Sequence, residues 1–170
     1  MKQLRTFFIA LALTLGATTF VNAQDSKVAH IATQELIESM PAYKDAMTQL
    51  DKLRNTYDAE IKDMMNEAQK TLQRYEAEAE TVTEEENQKR SMELQSAEQR
   101  IRERSQKASQ DLQKKQQDLV RPILEKARNA IQDVARAKGF DYVLDSTTGA
   151  GVIMADGYDL MPDVKTKLGI

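Results

Sequence analysis

Cysteine and tryptophan are absent from this 170-residue chain, and it contains only three prolines. Without cysteine, disulfide bonds, thiolate zinc sites and cysteine nucleophiles are excluded. Aromatic residues make up 5% of the chain, whereas charged residues make up 30%. This composition is typical of long helices and coiled coils rather than of a compact globular domain. Neither glycine nor proline occurs from residue 42 to residue 121, so the helical region has no obvious breaker.

The N-terminus has the pattern of an export signal. A basic start, MKQLR, precedes the apolar run FFIALALTL, and Val21-Asn22-Ala23 offers small residues where signal peptidase needs them. We therefore predict a signal peptide over residues 1–23, cleaved after Ala23. An uncleaved membrane anchor is the alternative, but the apolar run is short for a bilayer span. Cleavage changes the net charge from −3 to −5, a balance that does not favour nucleic acid as a partner.

Two apolar stripes with coiled-coil spacing follow. The first runs from Tyr43 to Val82 in steps of three and four residues, and the second runs from Leu94 to Val134. Steps averaging about 3.5 residues are typical of supercoiled helices. The second stripe thins between Ile101 and Leu119, which predicts a loosely packed stretch.

A capping box separates the stripes. Thr83 is followed three residues later by Glu86, the spacing of a helix start. Residues 45–86 carry 12 acidic against 5 basic residues, and residues 99–128 carry 9 basic against 4 acidic. We predict an antiparallel hairpin with its tip near 80–84, rather than the alternative of one continuous helix in a parallel dimer. Folding about residue 81 pairs Tyr43 with Leu119, Leu50 with Leu112, Ile61 with Ile101, Met65 with Ala97 and Ala68 with Leu94.

The flanking segments predict short elements. Thr33 is a candidate N-cap for a helix over TQELIESM, and Pro41 suits the first turn of the long helix. Pro122 should kink the second long helix, and Gly139 should end it in a left-handed conformation. A last helix is expected from Leu160 to Leu168, and strands are expected at residues 28–31, 142–145 and 152–155.

Three short strands from one chain form a sheet too small to be stable alone, with exposed edges. We therefore predict that residues 24–40 and 122–170 form an oligomerisation base and that residues 41–121 form a coiled-coil arm. The fold class is mainly α with a small β base. The candidate oligomerisation residues lie on the strands: Val28, His30, Ile31, Tyr142, Val143, Leu144, Val152, Ile153 and Met154.

At both ends the sequence resembles the Skp/OmpH family of periplasmic chaperones. The opening KVAHIATQELIESMPAYKDA is similar to that family's first strand and short helix, with Met40-Pro41 entering the arm. The ending, from IQDVARAKGFDYVLD to the last helix, is similar to its closing segment with the pattern G-[FY]-x-x-V-x-D. The resemblance covers essentially the whole mature chain.

This resemblance implies a homotrimer in which strands from the three chains form a central β-barrel. It implies a periplasmic, ATP-independent holdase whose three arms enclose unfolded outer-membrane proteins. It also implies contact with lipopolysaccharide or the membrane surface through basic arm residues, of which Lys89 and Arg90 are examples. No cofactor or metal is expected. The candidate client contacts lie on the arm: Met64, Met65, Tyr75, Met92, Arg100, Arg102 and Arg104.

Other functions are less well supported by the residues. His30 is the only histidine, and a structural strand position suits it better than a role as general base or metal ligand. Asp156, Asp159 and Asp163 lack EF-hand spacing and suit helix capping better. No catalytic constellation is recognisable, so we do not expect an enzyme. A structural envelope protein, acting as a spacer or binding a cell-wall or membrane layer, is the alternative to a chaperone.

Overall fold

The computed structural model describes residues 26–170, so the predicted signal peptide lies outside the described residues. A short strand and helix lead into a long helical hairpin, and two further strands and a last helix follow. The elements in chain order are β1 (Val28–Ile31), α1 (Thr33–Ser39), α2 (Pro41–Glu78), α3 (Glu84–Ala137), β2 (Tyr142–Asp145), β3 (Tyr158–Asp159) and α4 (Met161–Leu168).

The hairpin turn lies where the capping box predicted it. Helix α2 ends at Glu78, a single 3₁₀ turn covers Ala79–Thr81, and α3 begins at Glu84. The hydroxyl of Thr83 accepts a hydrogen bond from the backbone N–H of Glu86 at 3.2 Å, which confirms the predicted N-cap. Three glutamates in the first turn of α3 lie at the positive end of the helix dipole and stabilise it.

The seam between α2 and α3 follows the predicted stripes with two corrections. Ala46, Leu50 and Ala108 are buried, and most other stripe residues are half-buried. Met65 and Leu72 are exposed instead, so the predicted pairing of Met65 with Ala97 is wrong. From Ala68 the seam advances by three residues to the half-buried Thr71 and then by four to Tyr75. That step turns Leu72 away from the partner helix.

The helix boundaries in the base are mostly as predicted. Pro41 is the first residue of α2, and α4 runs to Leu168 as expected. Gly139 has φ +73°, and Phe140 N–H reaches back to the Ala135 carbonyl at 3.0 Å, as in a Schellman ending. Helix α3 continues through Pro122. The prediction for Thr33 is wrong: it is the first helical residue of α1, and Ala32 occupies the cap position without a side-chain hydrogen bond.

The three strands form a parallel sheet of order β2-β1-β3. The predicted strand at 152–155 is wrong, because the third strand is Tyr158–Asp159. β1 lies in the centre with β2 on one side and β3 on the other, so it has no free edge for residues 152–155. Gly149 and Gly151 lie just before residues 152–155 and have φ near +90°, so the chain leading into that segment is not extended.

The core of the chain lies under this sheet. Four side chains are fully buried there, namely Ile31 of β1, Leu36 of α1, Leu160 just before α4 and Val164 of α4. Burying one such side chain stabilises the fold by about 1.5–3 kcal/mol. The end of α3 closes the cluster with Ile123, Ala127, Ala130 and Val134. Within residues 26–170, no helix is both long and apolar enough to cross a membrane.

Candidate functional surfaces of the base and the arm

The outer face of the sheet is apolar and open to solvent. Val28 pairs with Tyr142, and His30 pairs with Leu144. Since paired residues of a parallel sheet point to the same side, these four residues share one face. Val28, Tyr142 and Leu144 are exposed and His30 is half-buried, whereas Ala29, which lies between two of them, is buried on the opposite side.

The predicted oligomerisation residues therefore divide between two faces. Ile31 is fully buried in its own chain, and Val143 packs against the same core. The other strand candidates, Val28, His30, Tyr142 and Leu144, belong to the open face. Ile153 is fully exposed, Met154 is exposed and Val152 is half-buried, so this loop also presents apolar side chains to solvent.

His30 links the strands across this face. Its Nε2 lies 3.2 Å from the Gly157 carbonyl, and its Nδ1 lies 3.2 Å from the Ser146 hydroxyl. The tautomer with the proton on Nε2 satisfies both contacts, with the Ser146 hydroxyl donating to Nδ1. Both ring nitrogens are thereby occupied in joining β1 to the segments that follow β2 and precede β3. No local pattern indicated that Ser146 would lie beside His30.

Asp145, the last residue of β2, fixes the start of α1. Its carboxylate accepts hydrogen bonds from the backbone N–H of Thr33 at 3.2 Å and from the Thr33 hydroxyl at 2.6 Å. Thr147 donates two more. Partial burial acts to raise the pKa of Asp145, but the hydrogen bonds from Thr147 and Thr33 outweigh it and lower the pKa to about 2. This residue is the aspartate that ends the motif GFDYVLD, and no local pattern in the sequence indicated its contact with Thr33.

The acidic residues near α4 also have local structural roles. Asp159 accepts a hydrogen bond from the Met161 N–H at 2.9 Å. It lies one residue before Leu160, which holds the N-cap position without a side-chain hydrogen bond, so Asp159 satisfies the first N–H of α4 without being its N-cap. Lys138 reaches Asp163 at 2.9 Å and the Tyr158 hydroxyl at 2.9 Å. The hydrogen bond from Lys138 lowers the pKa of Asp163 below its usual value. These contacts fasten the end of α3 to β3 and α4.

A groove of about 580 Å³ lies beside the sheet. One wall is β2, which is paired with β1 on its other side only. The opposite wall is α3, where Leu124 is exposed and Ile131 is half-buried. Phe140 and Ile37 line its floor. The groove therefore combines an unpaired strand edge with apolar side chains, which is the arrangement that accepts an added strand.

On the arm, the predicted client contacts differ in accessibility. Met65 and Met92 are exposed, whereas Met64 is half-buried and lines a small cleft between the helices. Arg100 and Arg102 are exposed, and their polar partners, Ser96 and Glu98, belong to their own helix. Tyr75 and Arg104 are instead engaged across the hairpin, with Glu93 and Glu60 respectively.

Comparisons with known proteins agree with this architecture. A family model described as outer membrane protein (OmpH-like) matches residues 27–168. A proposed outer membrane chaperone (OmpH-like) from Caulobacter crescentus CB15 has a similar fold, with a TM-score of 0.73 at 15% sequence identity. The similarity covers 84% of this chain and 83% of that one. The comparison with curated protein sequences gives no significant match.

Proposed function

The chain belongs to the OmpH-like outer membrane protein family, and we propose that it is an ATP-independent periplasmic holdase for unfolded outer-membrane proteins. The observation that carries the proposal is the combination of a long two-helix arm with an apolar sheet face left open at its base. Helix α2 has 38 residues, which at 1.5 Å per residue gives an arm of about 57 Å. An arm of this length can reach around a collapsed polypeptide.

We propose that the open sheet face joins three copies of the chain into a homotrimer. The face carries Val28, Tyr142 and Leu144, and exposed apolar area of this kind is typical of an interface. A sheet of three short strands is marginal alone. The unpaired edge of β2 and the exposed Ile153 loop supply further surfaces for a neighbouring copy. Three arms would then extend from one base and bound a cavity.

Client binding in such a cavity would be the sum of weak contacts. Met65 and Met92 are exposed on the arm, and the flexible thioether side chain suits varied apolar partners. Several weak contacts made by three linked arms raise the effective concentration of each, and affinity can increase by on the order of 10² to 10⁴. Exposed cations such as Arg100 and Arg102 would add a smaller, salt-dependent contribution.

A structural spacer is the second candidate. The observation in its favour is that the described arm, residues 41–121, exposes only three large apolar side chains, namely Met65, Leu72 and Met92. A spacer needs a stiff, solvated arm and no client surface. The two candidates differ in whether the arm tips are needed to keep another protein soluble.

The test compares the mature chain with a variant lacking residues 65–97, whose two cut ends are joined by a short turn. Aggregation of an unfolded outer-membrane β-barrel protein and the oligomer mass would be measured side by side. We expect the variant to keep the mass of a trimer and to lose protection. Full protection by the shortened trimer would contradict the cavity mechanism, and no protection by the mature chain would favour the spacer.

A matched variant separates charge from avidity. Arg100, Arg102 and Lys107 would be replaced by glutamine, while Arg104 is kept because it pairs with Glu60 across the hairpin. We expect protection to weaken only modestly. Complete loss of protection in this variant would show that electrostatic attraction, and not the sum of weak contacts, dominates client binding.

A further inference from the structure

A short pattern occurs twice on α2. The sequence reads TYDAE at 56–60 and RYEAE at 74–78, so a glutamate follows a tyrosine by three residues in each copy. Tyr57 and Tyr75 are 18 residues apart. Since 18 residues make five turns of 3.6, the two copies lie on the same face of the helix.

Each copy receives one arginine from α3 in a similar arrangement. Arg104 lies 4.5 Å from the centre of the Tyr57 ring and donates from Nε to Glu60 Oε1 at 2.8 Å. Arg90 lies 4.6 Å from the centre of the Tyr75 ring and donates from Nη2 to Glu78 Oε2 at 2.8 Å. We call Tyr57, Glu60 and Arg104 the inner clamp, and Tyr75, Glu78 and Arg90 the outer clamp.

Burial separates the clamp arginines from the other paired cations of the arm. The side chains of Arg104 and Arg90 are 23% and 14% exposed. Cations paired only within one helix of the arm, such as Arg54 and Lys107, are 63% to 74% exposed. Exposed ion pairs contribute little. A guanidinium that is stacked on a ring and bonded to a carboxylate contributes more, with better defined geometry.

The inner clamp is the better satisfied of the two. Arg104 donates from both Nε and Nη2 to the two oxygens of Glu60. This hydrogen bonding lowers the pKa of Glu60 and raises that of Arg104, so both groups are held in their charged forms. Arg90 leaves Nε and Nη1 buried without a hydrogen-bond partner. The inner clamp is therefore the better site for variants that test whether a clamp fixes the two helices.

The clamps bound a stretch of the seam whose apolar residues are only half-buried. Within it the helices meet through Met64, Leu94 and Ile101 and through the smaller Ala68 and Ala97, and a cleft of about 140 Å³ remains. On the base side of the inner clamp, in residues 41–56 and 105–121, the ion pairs are Arg54 with Asp51 and Lys107 with Asp111. Both lie within a single helix, so neither ties α2 to α3.

We propose that the two clamps are register locks. They fix α2 against α3 from Tyr57 to Arg104 as one stiff unit, in the part of the arm where the seam residues are only half-buried. A slide of one helical turn would lift both arginines from their rings together, whereas a half-buried apolar seam resists sliding weakly. The inference relies on the proposed function only for the use of the arm, and its test does not involve a client.

Spin labels on the mature chain test whether the stretch between the two clamps is stiff. The chain has no cysteine of its own, so pairs can be introduced at exposed positions. Lys70 with Gln95 reports on the stretch between the clamps, and Lys52 with Gln113 lies five turns nearer the base on the same faces. We expect the first pair to give a distance distribution as narrow as that of the second, which lies beside the buried Ala46, Leu50 and Ala108. A clearly broader distribution for the first pair would overturn the proposal.

Variants of the inner clamp test its cause. Arg104→Gln should broaden the Lys70–Gln95 distribution and speed amide exchange beside Tyr57 roughly tenfold or more, as expected when the two charge-assisted hydrogen bonds to Glu60 are lost. Arg104→Lys keeps the charge but cannot span the carboxylate, so it should behave similarly. The control is Arg102→Gln, which removes an exposed cation two positions away on the same helix. If Arg104→Gln matches this control in both measurements, the clamp is not a lock.

Discussion

Replacing Asp145 with asparagine should destabilise the base in a pH-dependent way. The carboxylate accepts four hydrogen bonds, two from Thr33 at 3.2 and 2.6 Å and two from Thr147 at 3.0 and 2.6 Å. An asparagine side chain fits the same space but carries no charge, and its NH₂ group cannot accept. At least one of the two threonine hydroxyls would therefore lose its acceptor.

The magnitude follows from the pKa. Burial acts to raise the pKa of Asp145, but the hydrogen bonds from Thr147 and Thr33 prevail, and it lies at about 2 rather than 3.8. A shift of nearly two units corresponds to about 2.4 kcal/mol of unfolding free energy at neutral pH. The carboxylate is only partly buried, so solvent screening reduces this to about 1–2 kcal/mol.

The sign of the pH dependence is fixed by the direction of the shift. A carboxyl group whose pKa is lowered in the folded state stabilises the fold above its unfolded pKa, near 4. That contribution is lost as the pH falls through about 2. The difference between the mature chain and Asp145→Asn should thus be full at pH 7 and shrink between pH 4 and pH 2.

The assay is denaturant unfolding at pH 7, pH 4 and pH 2.5, at one fixed protein concentration because association also changes apparent stability. Asp141→Asn is the matched control, since Asp141 accepts a single hydrogen bond, from the Lys27 N–H at 3.0 Å, in an exposed position. An equal deficit for Asp145→Asn at all three pH values would refute the role of the charge. No deficit at pH 7 would refute the cap itself.

Two other predictions concern the hairpin and the base. Cysteines at Leu50 with Leu112, or at Ile61 with Ile101, should crosslink within one chain, since packed seam positions bring Cβ atoms close; crosslinks found only between chains on denaturing gels would contradict the hairpin. Leu144→Asp or Ile153→Asp should lower the oligomer mass in sedimentation while the circular dichroism of the helices persists. Val143→Asp should instead unfold the base, because Val143 packs against its own chain's core and an unpaired charge there is costly. An unchanged mass for Leu144→Asp would show that the open sheet face is not the interface.

The parts of the fold that depend on local chemistry were predictable from the sequence. The break at Thr83 follows from a side chain that bonds to a backbone N–H three residues away. The end of α3 follows from Gly139, which alone near that point tolerates φ +73° without strain. In each case the deciding atoms lie within a few residues of one another, so a short stretch of sequence contains the cause.

The errors arose where distant residues decide. Residues 152–155 have the composition of a strand, but β3 occupies the position beside β1 that they would need. The cap of α1 comes from Asp145, more than a hundred residues after Thr33, so a local reading gave Thr33 a role it does not have. Val143 lies on the inner face of the sheet and Leu144 on the outer face. Which face each residue occupies can be predicted only when the position of the core is known.

The charge pattern of the arm acts differently from what opposite segments suggest. The acidic α2 and basic α3 are neighbours, yet the ion pairs that cross the described arm are those of Arg104 with Glu60 and of Arg90 with Glu78. The remaining pairs of the arm join residues of one helix, as for Arg102 with Glu98. Complementary charge therefore favours the hairpin mainly through the summed field of the two segments. The register of α2 against α3 depends instead on the two ion pairs that cross between them. Because the other cations of α3 are not committed to α2, a net acidic chain still presents basic side chains along the outside of its arm.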